Sequence, residues 1–229
     1  MADIRLSVVV PMLNEAAAIA ATLAAIRSGA PGAEIIVVDG GSADSSRARA
    51  RPLCDRLIET TRGRARQMNA GAVSADGDAL AFVHADTAVP RSFGADIEAA
   101  LEDARVVGGR LDLELDDPAL VFRIIGKMIS LRSRISRTGT GDQAIFVRRA
   151  TFERMGGYRE IELCEDLDFA RRMKRLGRVA CVRSRVITSA RRWKANGIAR
   201  TIFRMWLIRL GFLAGVSPAR LSRLYRDTR

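Results

Sequence analysis

The chain has 229 residues, 48% hydrophobic and 28% charged, with only 6 prolines. That composition excludes a disordered or collagen-like chain and leaves room for a sizeable core. Charge is split unevenly: residues 1–120 carry 12 Arg against 18 Asp and Glu, whereas residues 121–229 carry 26 Arg and Lys against 8 acidic residues. The second half therefore offers a basic face to something anionic, such as phosphate, lipid headgroups or nucleic acid.

The first half alternates strand and helix signals. Leu6 to Val10 is a short β-branched run stopped by Pro11, as expected of a buried parallel strand. Asn14-Glu15 opens an Ala-rich segment with Ile19, Leu23 and Ile26 at helical spacing, closed by Gly29 and Pro31. Glu34 to Val38 is a second buried strand and Ala79 to Val83 another, with helices predicted over Ser42 to Ala50 and Arg64 to Val73. Such an order implies a parallel sheet covered on both faces, with the ligand beyond the carboxyl ends of its strands. The clusters Asn14-Glu15, Asp39-Gly40-Gly41-Ser42 and His84-Ala85-Asp86 fall there.

The second half changes character. Val106 to Leu115 alternates as a strand does, and Pro118 begins a basic amphipathic stretch to about Arg137. In it Arg123, Lys127, Ser130, Arg134 and Arg137 share one stripe, while Val121, Ile124, Ile125, Met128, Leu131 and Ile135 fill the other side, with Arg132 the exception. A loop, Gly139 to Gln143, leads into a strand from Ala144 to Val147. A helix from Glu165 to about Leu176 is acidic in its first turn and basic in its last, as the helix dipole favours. From Gly197 the tail is apolar with interspersed Arg. One domain over 1–196 is expected, its character changing at about 105/106, with a helical appendage over 197–229.

Four constellations can carry chemistry. Asp39 ends a buried strand before two glycines; it can accept hydrogen bonds from a base or ribose, or merely close its own turn. His84 and Asp86 lie on one side of an extended chain and can reach one cation, completed by diphosphate oxygens and water, or they can cap and pack. Glu165 and Asp166 open a helix as dipole partners, and either can act as a general base on a hydroxyl. Arg191 and Arg192, beside Trp193, suit phosphate contact or a solvated surface.

Taken in order, the motifs Val9 to Glu15, Val37 to Asp44, Arg66 to Gly71, His84 to Thr87, Gly141-Asp142-Gln143 and Glu165-Asp166 resemble those of family-2 glycosyltransferases. The likeness runs from Pro11 to Trp193 and looks closest to a small bacterial subgroup often associated with radical-SAM and selenium-domain genes. The resemblance implies an α/β GT-A fold, a Rossmann-like αβα sandwich with a mixed, mostly parallel sheet. It implies inverting transfer of a sugar from a nucleotide-diphosphate donor to a hydroxyl acceptor, with Mn²⁺ or Mg²⁺ as cofactor. Pro11, Asn14, Glu15, Asp39, Gly41 and Asn69 would surround the nucleotide. Asp86, with His84, would meet the metal. Asp166 would be the base with Glu165 beside it, and Asp142, Gln143, Arg191, Arg192 and Trp193 would face acceptor or phosphate.

Two departures stand out. His84 replaces the first carboxylate of the family's DxD metal motif, and Ser189 stands where processive relatives carry Gln in QxxRW. No stretch approaches the roughly 20 apolar residues of a membrane span, and the N-terminus lacks a signal-peptide layout. Cys54, Cys164 and Cys181 stand far apart without a CxxC pair, pointing to a reducing compartment. The expected location is cytoplasmic, with peripheral contact at the inner membrane face. The two Arg-bearing apolar stretches suit an anionic lipid surface and a lipid-linked acceptor, or packing on the domain or in a homodimer. Rival readings are a non-catalytic nucleotide-sugar binder, a nucleotidyltransferase and a nucleic-acid-binding protein. Only two Trp and two Tyr, with no recognition motif, count against the last.

Overall fold

The structure, a computed structural model, describes residues 4–226. In chain order its strands are β1 (Leu6–Met12), β2 (Glu34–Asp39), β3 (Arg56–Glu59), β4 (Ala79–Phe82), β5 (Thr87–Ala88), β6 (Val106–Leu115), β7 (Ile145–Arg148) and β8 (Arg178–Thr188). Between them run α1 (Ile19–Gly29), α2 (Ser46–Ala50), α3 (Arg64–Ser74), α4 (Phe93–Leu101), α5 (Leu120–Ser136), α6 (Arg149–Arg154) and α7 (Glu165–Lys174). The chain then continues as α8 (Arg191–Asn196), α9 (Ile198–Leu213) and α10 (Pro218–Arg226).

One mixed sheet carries all eight strands in the order β3-β2-β1-β4-β7-β6-β8-β5. The β3-β2-β1-β4 set is parallel, and β6 pairs in parallel with β8. β7 is antiparallel to both β4 and β6 and joins the two halves into one surface. The parallel strands are apolar at successive positions because helices cover both faces. Val8, Val10, Ile35 and Val37 enter one buried cluster with Leu23 and Phe93, while Val9, Ile36 and Val38 enter the other with Met68 and Phe169. Gly71 lets α3 settle on β1, since a Cβ there would lie 2.4 Å from Val9 Cγ1.

Three strands escape the sequence pattern. β3 is short and partly exposed, β5 has only two residues, and β8 carries Arg178, Arg183 and Arg185 among its apolar residues. The basic stretch does form a helix, but its orientation is a finding. Ser130 and Ser133, with Phe122, Ile125 and Gly126, face inward on α5, whereas Val121, Ile124, Met128, Leu131 and Ile135 are exposed. Small groups permit the close approach to β6: a Cβ at Gly126 would meet the Leu113 carbonyl at 2.9 Å, and Ser130 Oγ accepts the Leu113 N–H at 2.9 Å. Beneath this contact the fully buried Arg110 is ion-paired to Asp112, which also pairs with Arg134. No helix among the described residues is long and apolar enough to cross a membrane.

Candidate active site

The ends of β1 and β2 are tied to each other. Asn14, at φ +54°, accepts the Ala43 N–H on its side-chain oxygen at 2.9 Å, and Asn readily tolerates that left-handed backbone. Ser42 Oγ in turn accepts the Asn14 N–H at 2.9 Å and donates to Asp39. The Asp39 carboxylate is fully buried and accepts from Ser42 N–H at 3.0 Å and Gly41 N–H at 3.2 Å. Gln67, inside the Arg66 to Gly71 motif but given no role of its own there, donates to the Met12 and Val38 carbonyls at 2.8 and 2.9 Å and so braces both strand ends.

These ends open on a cleft of about 1710 Å³. Pro11, Glu15, His84 and Asp86 stand on its walls together with Asp142, Glu165, Arg191 and Trp193. Asn14, Asp39, Gly41, Asn69, Gln143 and Asp166 are not among its lining residues. Asn69 instead exchanges two 2.8 Å hydrogen bonds with the Tyr158 backbone. Gln143 is buried, with its amide donating to Leu111 O and Ser133 Oγ. The Arg192 side chain lies outside the described residues. Whether a carboxylate beyond a strand meets a ligand or its own turn depends on tertiary packing, which sequence spacing does not reveal.

Glu15 and Asp86 stand close together on the cleft wall. Burial and then the Asp86 charge push the Glu15 carboxyl above its ordinary value, opposed by Arg191, whose guanidinium lies 3.7 Å away. His84, expected beside Asp86, is turned elsewhere. Its Nδ1 lies 2.9 Å from Asp142 Oδ1, while its Nε2 is buried against Gly141 without a partner. Among the described residues no group of three or more His, Cys, Asp or Glu is disposed to hold a metal. The carboxylates present fit an ion that draws most of its ligands from a diphosphate and water, as Mg²⁺ and Mn²⁺ commonly do.

The acidic pair is seated by aromatic packing. Phe169 of α7 stacks on Tyr158 with ring centroids 4.0 Å apart, and Arg172 fastens the helix to the Met155 and Gly157 carbonyls. This places Glu165 at the cleft wall, 93% removed from solvent, with Arg64 of α3 3.7 Å away. Burial first, then the Asp166 charge, raises the Glu165 carboxyl above its ordinary value. Asp166 accepts the Gly141 N–H on Oδ2 at 2.7 Å and the Leu167 N–H on Oδ1 at 2.6 Å. Each oxygen keeps a further lone pair for a proton. Gly141 thus stands between His84 and Asp166. Arg64, Arg132 and Arg209 also line the cleft and were not singled out as site residues. The Arg62-Gly63-Arg64-Ala65-Arg66 spacing is the one signal that could have drawn attention to the first of them.

Comparison with known proteins agrees with this architecture. No curated protein matches the sequence. A structure of S. aureus TarS, residues 1–349, aligns with TM-score 0.67 at 18% identity, covering 81% of this chain and 60% of that one. The same region of TarS has been solved with UDP-GlcNAc. A mannosyltransferase from Pyrobaculum calidifontis, PcManGT, solved with GDP-Man and Mn²⁺, aligns with TM-score 0.67 at 18% identity, covering 91% of this chain and 62% of that one. The chain therefore spans about three-fifths of the length of these structures and shares their GT-A fold. The model of Glycosyl transferase family 2 matches residues 7–158, from β1 through the loop that seats α7, and the chain belongs to that family.

Proposed function

We propose that the protein transfers a sugar from a nucleotide-diphosphate donor to an acceptor hydroxyl, with inversion at the anomeric carbon. The observation that carries this reading is the single cleft on which donor-end residues Pro11, Glu15 and Asp86 share walls with Glu165 of the acidic pair. Family membership and the nucleotide sugars bound by TarS and PcManGT support the donor class.

In a single displacement the acceptor oxygen attacks the anomeric carbon while the bond from that carbon to the diphosphate oxygen breaks. The bonding pair departs on the nucleoside diphosphate. Asp166 takes the acceptor proton, its carboxylate oriented by the Gly141 N–H. Glu165 shapes the acceptor side, and its raised proton affinity keeps two adjacent carboxylates from carrying full charge together. Positive charge toward the leaving diphosphate comes from Arg191 and Arg64 on the cleft walls. Mn²⁺ or Mg²⁺ held by Asp86, with Glu15 close by, would neutralise the diphosphate when bound.

The acceptor half is the apolar, basic side of the cleft formed by α5 and α9. Their exposed apolar residues support contact with a lipid surface, at the inner face of a membrane, over burial within the domain. The test is release of UDP or GDP from UDP-GlcNAc and GDP-Man with Mn²⁺, with and without a membrane lipid extract. Asp166→Asn should lower turnover about 10²–10⁴-fold, the usual worth of a general base, while nucleotide binding persists. Full turnover in that variant removes Asp166 as the base.

A further inference from the structure

Two arginines from helices far apart in the chain converge on the acceptor side of the cleft. Arg132 of α5 and Arg209 of α9 both line it, and both feel the Asp166 carboxylate. Arg132 is half-buried, its Nε enclosed without a partner. Burial and then the charge of Arg209 pull it down to about 10. Arg209, itself pulled down by burial, donates to Thr138 Oγ1 at 3.1 Å. Two like charges taken partly out of water oppose one another, and an anion between them relieves both costs.

Apolar walls adjoin these cations. Met128, Leu131 and Ile135 of α5 and Ile202, Trp206 and Leu213 of α9 line the same cleft, and all six are exposed. Neither 118–137 nor 197–226 contains a single acidic residue. From Val121 to Ile135 the outward apolar face of α5 runs for about 21 Å at the rise of an α-helix. A soluble sugar or a free phosphate has no use for such a face, whereas an amphiphile matches both the walls and the charges.

We propose that this part of the cleft is a subsite for an anionic lipid acceptor. Its negatively charged group would be held by Arg132 and Arg209, and its chain would lie along the outward faces of α5 and α9. This rests on the transfer reading above, since it sets the acceptor hydroxyl beside Asp166.

The probe is dodecyl phosphate below its micellar concentration, titrated into the full chain and read by the fluorescence of Trp193 and Trp206, which both line the cleft. Dodecyl maltoside and inorganic phosphate are the comparators. Saturable binding of dodecyl phosphate is expected at least about tenfold tighter than either comparator, given the worth of charge-assisted hydrogen bonds. Arg132→Gln and Arg209→Gln should each weaken it about tenfold, and Arg132→Lys should recover part of the loss. Equal binding of dodecyl maltoside, equal binding of inorganic phosphate, or unchanged affinity in both Gln variants would overturn the subsite. UDP, GDP, CDP and dTDP titrations with Mn²⁺ on the same samples report fold and donor site. Nucleotide binding without dodecyl phosphate binding overturns the acceptor subsite alone. A folded protein that binds neither overturns the transferase reading as well.

Discussion

Gly141→Ala probes the junction between His84, beyond β4, and the acidic pair Glu165 and Asp166. A Cβ at this position would lie 2.5 Å from His84 Nε2 and 2.8 Å from Cε1. Ordinary contact needs a separation about 1 Å longer. The imidazole has little room to yield, being 92% removed from solvent and held to Asp142 by its other nitrogen. If the ring stays, the loop must move, and the Gly141 N–H then leaves Asp166 Oδ2. Overpacking of this kind costs about 1–3 kcal/mol, and loss of a hydrogen bond to a carboxylate falls in a similar range of about 1.5–3 kcal/mol. Only the cheaper adjustment is made, so the two figures do not add. Urea unfolding of the variant should show a loss of about 1–3 kcal/mol, or about 2–4 °C in Tm for each kcal/mol in a domain of this size. In a His84→Ser background the ring is gone and the same substitution should cost less, leaving a coupling of about 1 kcal/mol in the double-mutant cycle. Equal stability of Gly141→Ala and the wild type, or an identical loss in both backgrounds, would refute the packing argument.

Asp112→Ala leaves the buried Arg110 without its carboxylate and should destabilise by about 3–5 kcal/mol in urea unfolding; a loss below 1 kcal/mol would show that solvent reaches the guanidinium. Glu165→Gln addresses pH. Burial and Asp166 raise the Glu165 carboxyl, so the folded protein holds this proton to higher pH than the unfolded chain does. The contribution of Glu165 to stability is full below its unfolded value and falls as pH rises through the folded one. The variant should therefore gain on the wild type between pH 4 and pH 8, and a constant difference across that range would contradict the assignment. Asp86→Ala should weaken nucleotide binding about tenfold or more in Mn²⁺ and much less in EDTA, whereas an equal loss in both would remove Asp86 from the metal.

Much of the first half of the fold was legible in the sequence. Val8 to Val10, Ile35 to Val38 and Ala79 to Phe82 are runs that a sheet covered on both faces requires, and their carboxyl ends supplied Glu15 and Asp86 to the cleft. Side-chain direction was less legible. Asp39 and Asn14 bond their own loops, and Asn69 clamps Tyr158, because turn chemistry and ligand chemistry draw on the same residue types. The inward face of α5 was hidden because Gly126 and Ser130 pack by smallness and by hydrogen bonding to β6, not by hydrophobicity. β8 was hidden by its arginines. Arg132 and Arg209 meet only through the tertiary fold, which no spacing in the chain announces.

Calorimetric titration with UDP, GDP, CDP and dTDP, with and without Mn²⁺, tests the donor site most directly. One nucleotide should bind, more tightly with the metal, and lose that metal-dependent gain in Asp86→Ala. Absence of binding by all four to the folded protein would contradict the assignment of this cleft to a nucleotide-sugar donor.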